Sequence, residues 1–239
     1  MTLSSVVPYT SRPELYDLEY SFKDYAGEAV TLERIVRERN PGAKTLLDVA
    51  CGTGKHIEHL RASFQCEGTD LDDGLLRVAR QRLPDVPVRQ ADMRDFDLGR
   101  QFDVVTCLFS AIGFVGGLDD LAATARTFAR HLRPGGVALV EPWLTPDAWV
   151  PGRPHLLTYD GPELKLARAT VSGLRGERIS TTDMHYLVAT PQGVEHFVEH
   201  HDPYLFTTDE MRAAFEAAGL DVDYDVEGLI GRGLWICSR

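Results

Sequence analysis

Short β runs alternate with helical segments between residues 45 and 141, and this alternation limits the fold more than any other feature. The first apolar run, residues 45–50, leads through a glycine-rich turn into a helix. The same order recurs, with further strands predicted at 66–70, 86–90, 102–109 and 137–141 and helices at 74–82 and 118–131. Strands that alternate with helices predict a parallel sheet covered by helices on both faces. We therefore expect an α/β fold.

The chain departs from this rhythm on both sides of the α/β segment. Residues 12–39 are predicted to be mostly helical and to end at Asn-Pro-Gly. Residues 150–204 contain no long helical pattern, and their β runs are predicted at 156–159, 165–174, 181–189 and 194–201. A helix at 208–218, closed by Gly219, and two final strands follow. We interpret residues 1–239 as a single domain with an antiparallel β insertion at about 150–204 that contributes to a substrate pocket.

The charge balance and the cysteines exclude several classes of protein. The chain has 36 acidic and 25 basic residues, a formal net charge of −11, and a surface of that sign repels phosphate backbones. No nucleic-acid partner is therefore expected. No long uncharged apolar run is present, so no membrane partner is expected either. The four cysteines are scattered without a C-x-x-C pair, and the N-terminal residues lack the features of a secretory signal. Reduced thiols and a cytoplasmic location are expected.

The glycine-rich turn at residues 47–54, Leu-Asp-Val-Ala-Cys-Gly-Thr-Gly, is the candidate ligand-binding motif. Glycines between a strand and a helix let a ligand approach the backbone closely, although a tight turn without a ligand has the same pattern. A dinucleotide loop would need a small residue where Ile57 stands. Asp48 is unfavourable beside a pyrophosphate but suits an ammonium group. S-adenosylmethionine carries an ammonium and an adenosine without a phosphate, and we predict it as the cofactor.

Two further acidic residues follow the next strands. Asp70 ends the second strand, where a carboxylate can accept hydrogen bonds from both hydroxyls of a ribose. Asp92 follows the third strand, where it would accept from an adenine amino group while Met93 packs on the ring. Each aspartate also fits a turn or a helix cap. Because the carboxyl ends of parallel strands meet at one sheet edge, a single ligand there accounts for Asp48, Asp70 and Asp92 together.

Four segments together resemble the Rossmann-like class I methyltransferases that depend on S-adenosylmethionine. They are the turn at 48–54, Asp70, residues 92–96 and Leu-Arg-Pro-Gly-Gly at 132–136. The resemblance implies a mostly parallel, seven-stranded sheet. It also implies a set of residues that line the cofactor site: Tyr16, Lys23, Asp48, Ala50, Cys51, Gly52, Gly54, Asp70, Leu71, Asp92, Met93 and Leu108.

A closer resemblance, to the bacterial sugar N-methyltransferases, extends along nearly the whole chain. Its discriminating segments are Glu-Pro-Trp at 141–143 and Gly-Arg-Gly-Leu at 231–234. Further matching segments lie at 14–17, 23–25, 109–113 and 185–188. Members of that family dimethylate the amine of nucleotide-linked deoxyaminosugars in antibiotic biosynthesis. The resemblance implies the same reaction here, on a dTDP-linked sugar.

The resemblance also implies residues that contact the substrate: Trp143, His185, His201 and Arg232. Arg232 has a physical reason of its own, because a guanidinium binds phosphate oxygens bidentately and a Gly-Arg-Gly turn does not need arginine for its structure. Arg168 and Arg175 would add positive charge for the same diphosphate. No metal is expected, because strand alternation sends His200 and His201 to opposite faces and the resembling family uses none.

Three residues are predicted at the methyl-transfer centre. Tyr9 lies close to a tyrosine that the family places there. Glu141 would orient the amine, although a buried salt bridge fits this glutamate equally well. Phe114 stands where relatives have His or Tyr, and a phenyl ring neither accepts nor donates a proton. We therefore expect direct in-line transfer that depends on proximity and orientation rather than on a dedicated base.

Other functions stay open at this point. An O-methyltransferase, or an N-methyltransferase of another small molecule, would use the same loop, but Phe114 leaves an oxygen acceptor without an obvious base. A nucleic-acid methyltransferase is disfavoured by the net charge and by the absence of an Asn-Pro-Pro-Tyr type of motif at 109–112. A non-catalytic S-adenosylmethionine-binding protein is disfavoured by Arg232. The position of the sugar amine, the number of methyl groups and a possible homodimer are left undetermined.

Overall fold

A computed structural model describes residues 9–239, which form helices, strands and one short 3-10 turn at Ala111–Phe114. The helices are α1 (Pro13–Glu19), α2 (Tyr25–Arg39), α3 (Lys55–Leu60), α4 (Asp73–Arg82), α5 (Leu118–His131) and α6 (Thr208–Ala217). The strands are β1 (Thr45–Val49), β2 (Gln65–Asp70), β3 (Val88–Gln90), β4 (Phe102–Cys107), β5 (Leu132–Val140), β6 (Pro154–Asp160), β7 (Lys165–Arg175), β8 (Ile179–Thr190), β9 (Gly193–His201), β10 (Asp221–Asp225) and β11 (Leu234–Ser238).

Seven of these strands form the central sheet, in the order β10-β11-β5-β4-β1-β2-β3. Strands β1 to β5 pair in parallel, and β11 runs antiparallel to both of its neighbours. The predicted mostly parallel, seven-stranded sheet of a class I methyltransferase is therefore confirmed. The strand order reverses between β1 and β4, and the crevice at such a switch point is where ligands bind in open α/β sheets.

On each face of this sheet, apolar side chains pack against a separate layer of helices. On one face, Leu47 and Val105 belong to a core that includes Phe128 of α5 and Phe215 of α6. On the other face, Leu46 lies in a core formed with α2 and α3. All five residues of β1 are buried, as expected for a strand covered on both faces. This rigid centre fixes the loops at the carboxyl ends of its strands.

Strands β6 to β9 form a second, antiparallel sheet. Its burial alternates along β8, where Tyr186 and Val188 face inward and pack near Leu15 of α1. The opposite face, called the outer face below, carries exposed Leu156, Val171, Leu187 and Val198, which cross-strand register places on one side. The insertion predicted at about 150–204 therefore corresponds to a sheet that packs on α1.

Two element boundaries differ from the sequence-based expectations. The helix predicted at 12–39 is divided, because α1 ends at Glu19 and Asp24 starts α2 by accepting a hydrogen bond from the Gly27 amide (2.9 Å). The turn predicted at 133–136 lies inside β5, where the pairing register with β4 shifts. Between residues 9 and 239, no helix has the length and apolar character needed to cross a membrane.

Candidate functional site

The glycine-rich turn after β1 bends sharply towards the end of β2. Ala50, Gly52 and Gly54 all have positive φ angles, of 58°, 54° and 77°. The Gly52 amide donates a hydrogen bond to Asp70 Oδ2 (2.7 Å), while Asp70 Oδ1 accepts one from the Asp72 amide (2.9 Å). The turn and the end of β2 thus hold each other at the switch point of the sheet.

A first cavity, of about 320 Å³, opens over this turn. Eight of the residues predicted to bind the cofactor line it: Tyr16, Ala50, Gly52, Asp70, Leu71, Asp92, Met93 and Leu108. A Cβ atom at Gly52 would meet no protein atom within 4 Å, so the backbone there borders open space. Burial raises the pKa of Asp70 to about 6. A buried carboxylate beside an open backbone is a cradle for a ligand that donates hydrogen bonds.

A small neighbouring cavity, of about 30 Å³, is lined by residues of the glycine-rich turn. Asp48 and Cys51 line it, together with Tyr16, Ala50, Gly52 and Leu108, which also line the first cavity. Asp48 is buried, its Oδ1 accepts a hydrogen bond from the Thr106 hydroxyl (2.7 Å), and burial raises its pKa to about 6. This end of the site therefore offers an anionic group suited to an ammonium.

Two residues of the predicted cofactor set lie elsewhere. Gly54 is the N-cap of α3, and a Cβ on it would lie 2.6 Å from Leu83 Cδ1, so this glycine permits packing rather than ligand contact. Lys23 forms an ion pair with Glu28, stands 4.6 Å from the centre of the Phe109 ring, and lines the second cavity described next. The pattern of motif residues shows the turn, but it does not show which side chains face the ligand.

The second cavity, of about 710 Å³, lies between the central sheet, α2 and the antiparallel sheet. Four residues predicted to contact the substrate line it: Trp143, Arg168, His201 and Arg232. Thr182 and Met184 of β8 line it as well. The sequence did not predict them, because no motif distinguishes them and only their position on the cavity-facing side of β8 brings them here. Tyr9, Phe109 and Phe114 line both cavities, so the two spaces meet at this aromatic partition.

The arginines of the second cavity differ in how they are neutralised. Arg168 forms an ion pair with Glu19 and lies 3.1 Å from the Tyr20 hydroxyl, so it ties β7 to α1. Arg232 has no carboxylate within ion-pair distance among residues 9–239; its Nη1 donates to the Ser110 hydroxyl (3.2 Å) and its guanidinium lies 5.0 Å from the Trp143 ring centre. Arg175 pairs with Asp202 and is exposed, outside the cavity. Arg232 is therefore the arginine available to an anionic ligand.

The aromatic partition is built around Tyr9. Its ring lies 5.2 Å from Phe114, 6.0 Å from Tyr16 and 4.4 Å from His201, measured between ring centres. The Tyr9 amide donates to Asp72 Oδ2 (2.8 Å) and its carbonyl oxygen accepts from His201 Nε2 (2.8 Å). Burial raises the pKa of the Tyr9 phenol, which therefore stays protonated. The structure thus brings Tyr9 and Phe114 together where the two cavities meet.

Glu141 and His185 lie outside both cavities. Glu141 is fully buried, and its Oε2 accepts from the amide of Phe109 (2.6 Å), which stands with Ser110 in the left-handed region. Glu141 therefore holds the strained turn at Phe109 and Ser110 through Oε2, while its Oε1 is buried without a hydrogen-bond partner among residues 9–239. His185 lies on the outer face and stacks on His196, because its position along β8 alternates with the cavity residues Thr182 and Met184.

Two further acidic groups line the first cavity: Asp72, which had no predicted role, and Asp92, predicted to accept from adenine. Asp72 lines the cavity, caps α4 and binds the Tyr9 amide; its spacing of two from Asp70 was the available signal. The Asp92 carboxylate is held by Arg94, whose Nη1 also reaches Asp120 (2.9 Å). This pairing lowers the pKa of Asp92 and keeps it available as a hydrogen-bond acceptor.

Comparisons with known proteins show relatives that match most of the chain. Residues 46–136 match a family described as a methyltransferase domain. The chain is 44% identical over 226 residues to a dTDP-3-amino-3,6-dideoxy-alpha-D-glucopyranose N,N-dimethyltransferase of Streptomyces fradiae, a match that covers 93% of this chain and 88% of the relative. It is 42% identical over 229 residues to a dTDP-4-amino-2,3,4,6-tetradeoxy-D-glucose N,N-dimethyltransferase of Saccharopolyspora spinosa, with 95% and 92% covered.

A solved structure extends the match to three dimensions. It is that of CalS10 with S-adenosylmethionine bound, an amino pentose methyltransferase from Micromonospora echinaspora involved in calicheamicin biosynthesis. The two chains superpose with a TM-score of 0.87 at 34% identity, over 99% of each. The described part of the chain, including the antiparallel sheet, therefore has the fold of this structure.

Proposed function

Because this chain belongs to the family of S-adenosylmethionine-dependent sugar N-methyltransferases, we propose that it dimethylates the amine of a dTDP-linked deoxyaminosugar. The observation that carries this proposal is that two cavities meet at Tyr9, Phe109 and Phe114. One cavity carries the buried carboxylate of Asp70, and the other carries Arg232, which has no acidic partner among residues 9–239. A methyl donor and an anionic acceptor would thus face each other across one partition.

The first cavity fits S-adenosylmethionine, with the small cavity as the site of its methionine end. Asp70 would accept hydrogen bonds from the ribose hydroxyls and Asp92 from the adenine amine. The open space beside Gly52 admits the ligand where a side chain would fill it. Asp48 would lie near the ammonium. When bound, this cofactor supplies a methyl group on a positively charged sulfur.

The second cavity fits the nucleotide-linked sugar. Arg232 would bind the diphosphate, since a guanidinium forms paired, charge-assisted hydrogen bonds with phosphate oxygens. Its position over Trp143 and against the Ser110 hydroxyl orients the guanidinium before the ligand arrives. Ser110 adjoins Phe109 of the partition, so the Arg232–Ser110 hydrogen bond would link the diphosphate site to the methyl-transfer centre.

The partition would position the reacting atoms. Tyr9, Phe109 and Phe114 line both cavities and would place their aromatic rings around the reacting atoms. An amine held in line with the methyl carbon and the sulfur reacts without covalent help from the protein, because orientation supplies much of the acceleration. Glu141 would contribute by fixing the strained backbone of Phe109 and Ser110.

An acceptor panel tests this proposal. Nucleotide-linked 3-amino and 4-amino deoxysugars would be offered separately with S-adenosylmethionine, and products would be read by mass. The expected result is the addition of two methyl groups to the nitrogen of at least one nucleotide-linked aminosugar. Methylation of free amines alone, with the nucleotide-linked sugars untouched, would contradict the proposal.

The affinity for S-adenosylmethionine is expected to fall as the pH drops from 7 to 5. The ribose hydroxyls need an ionised Asp70, whose pKa of about 6 is raised by burial, so the cofactor binds the deprotonated form and protonation competes with it. Titration calorimetry at several pH values would show about a tenfold loss per pH unit below 6. An Asp70→Asn variant would bind more weakly and with a flatter pH profile. An equally steep profile in that variant would assign the pH dependence to another group, such as Asp48.

We also propose that two copies of the chain associate through the outer face of the antiparallel sheet. Leu156, Val171, Leu187 and Val198 expose an apolar surface there, and such a patch is unusual on a monomer. Leu187→Glu would place a charge in its centre. Sedimentation velocity is expected to show a dimer for the wild-type protein and a monomer for the variant, with unchanged cofactor affinity. A monomeric wild-type protein at micromolar concentration would contradict this association.

A further inference from the structure

We propose that His201 accepts the proton from the amine of the substrate, a catalytic role that rests on the proposed function and deepens it. His201 lies at the end of β9, lines the second cavity, and its ring centre is 5.6 Å from that of Phe114. The junction of the two cavities therefore contains an imidazole, although the residue at position 114 has no group that exchanges protons.

The contacts of His201 select one tautomer. Its Nε2 atom lies 2.8 Å from the carbonyl oxygen of Tyr9. A carbonyl oxygen only accepts hydrogen bonds, so Nε2 carries the proton and the lone pair of the neutral ring is on Nδ1. Nδ1 has no hydrogen-bond partner among residues 9–239. The same contact that holds Tyr9 in the partition thus leaves a basic nitrogen free.

The surroundings keep the ring neutral near pH 7. Burial is the main cause that lowers the pKa of His201, and the positive charges of Arg168 and His200 act in the same direction. The hydrogen bond to Tyr9 and the charge of Glu199 act against them without reversing the shift. A neutral imidazole with a free Nδ1 can accept a proton, whereas a charged one cannot.

No other ionisable side chain that lines the second cavity is as well suited. Glu28 is occupied by Lys23 and by His56, whose Nε2 lies 2.8 Å from it. Asp24 caps α2 through the Gly27 amide. Tyr20, like Tyr9, has a phenol pKa that burial raises. His201 remains as the neutral base in this part of the described chain.

Two protons must leave the nitrogen during dimethylation, and His201 would accept each of them. A sugar amine enters mainly as an ammonium; Nδ1 takes one proton, giving a neutral amine and an imidazolium. The nitrogen lone pair then bonds to the methyl carbon while the carbon–sulfur bond breaks, and its electron pair stays on sulfur. The secondary ammonium formed must lose a proton before a second methyl can be added. Between rounds the imidazolium releases its proton to water at the mouth of the cavity, where Phe22 is exposed.

A His201→Gln variant tests this role. The glutamine amide can still donate to the Tyr9 carbonyl, so the partition is preserved while the basic nitrogen is removed. At pH 7 kcat/KM is expected to fall by about 100-fold, with little change in cofactor affinity. The deficit should shrink towards pH 9, because the amine then arrives already neutral. A deficit that is the same at every pH, or no deficit, would overturn the proposal.

Two further measurements distinguish this role from a structural one. Phe114→His in the His201→Gln background places an imidazole near the same junction and is expected to restore part of the activity at pH 7; no restoration would count against a missing base. Nitrogen-15 NMR of the wild-type histidines should show His201 as the neutral Nε2–H tautomer at pH 7, and a charged ring would overturn the proposal without any turnover being measured. Absence of wild-type activity on every aminosugar would instead contradict the proposed function.

Discussion

A Gly52→Arg variant is expected to lose S-adenosylmethionine binding while remaining folded. The Cβ position at Gly52 borders the first cavity and meets no protein atom within 4 Å, so the new side chain would enter the space of the cofactor rather than the core. Filling a ligand site costs roughly 3 kcal/mol or more, which lowers affinity by at least about 100-fold. Titration calorimetry would measure the loss, and methyl transfer would disappear with it.

The chain provides a matched control for this variant. Gly99 also has a positive φ angle, 65° against 54° for Gly52, and a Cβ there also meets no atom within 4 Å. It is exposed and lies outside the first cavity. Gly99→Arg therefore carries a similar backbone strain without blocking the site, and it should bind the cofactor normally. Equal losses in both variants would trace the effect to backbone strain, and retained binding in Gly52→Arg would contradict the cofactor assignment.

An Arg232→Gln variant is expected to recognise the nucleotide part of the substrate poorly. Arg232 has no acidic partner within ion-pair distance in the described chain, so its charge is free for the diphosphate. Charge-assisted hydrogen bonds contribute about 1.5–3 kcal/mol, so KM for the nucleotide-linked aminosugar should rise roughly 10- to 100-fold. Steady-state kinetics would show this rise with an unchanged dissociation constant for S-adenosylmethionine.

Two controls separate diphosphate binding from a general loss of structure. The free aminosugar has no diphosphate, so its slow methylation should be the same in the wild-type enzyme and in Arg232→Gln. Arg175→Gln removes an exposed arginine of the antiparallel sheet that pairs with Asp202 outside the cavity, and it should leave KM near the wild-type value. If Arg232→Gln weakens both acceptors equally, the arginine supports the partition through Ser110 and does not bind the diphosphate.

The fold was largely predictable because it depends on local patterns. The buried run of β1, the alternation of strands and helices, and the cap at Gly219 are local features, and the structure reproduces them. The break between α1 and α2 was missed because its cause is tertiary. Glu19, the last residue of α1, and Tyr20, which follows it, contact Arg168 of the antiparallel sheet, 149 and 148 residues further along the chain.

The candidate site was predictable to the extent that it follows from topology. Gly52, Asp70 and Met93 meet because each lies at or just after the end of a parallel strand, and such strands end at the same sheet edge. The direction in which each side chain points could not be predicted in this way. Glu141 directly follows β5 at that edge, yet it accepts a hydrogen bond from the Phe109 amide and lines neither cavity. His185 differs from the cavity residue Met184 by one strand position. Those directions depend on packing that no short segment encodes.

The most direct test of the account is a competition between an amine and a hydroxyl on otherwise equal acceptors. The enzyme would receive S-adenosylmethionine with a deuterated methyl group and an equimolar pair of dTDP-linked deoxysugars that differ only in that substituent. The account predicts two labelled methyl groups on the nitrogen of the aminosugar, located by tandem mass spectrometry, and none on the hydroxy sugar. Label on the oxygen, or equal labelling of both sugars, would contradict it.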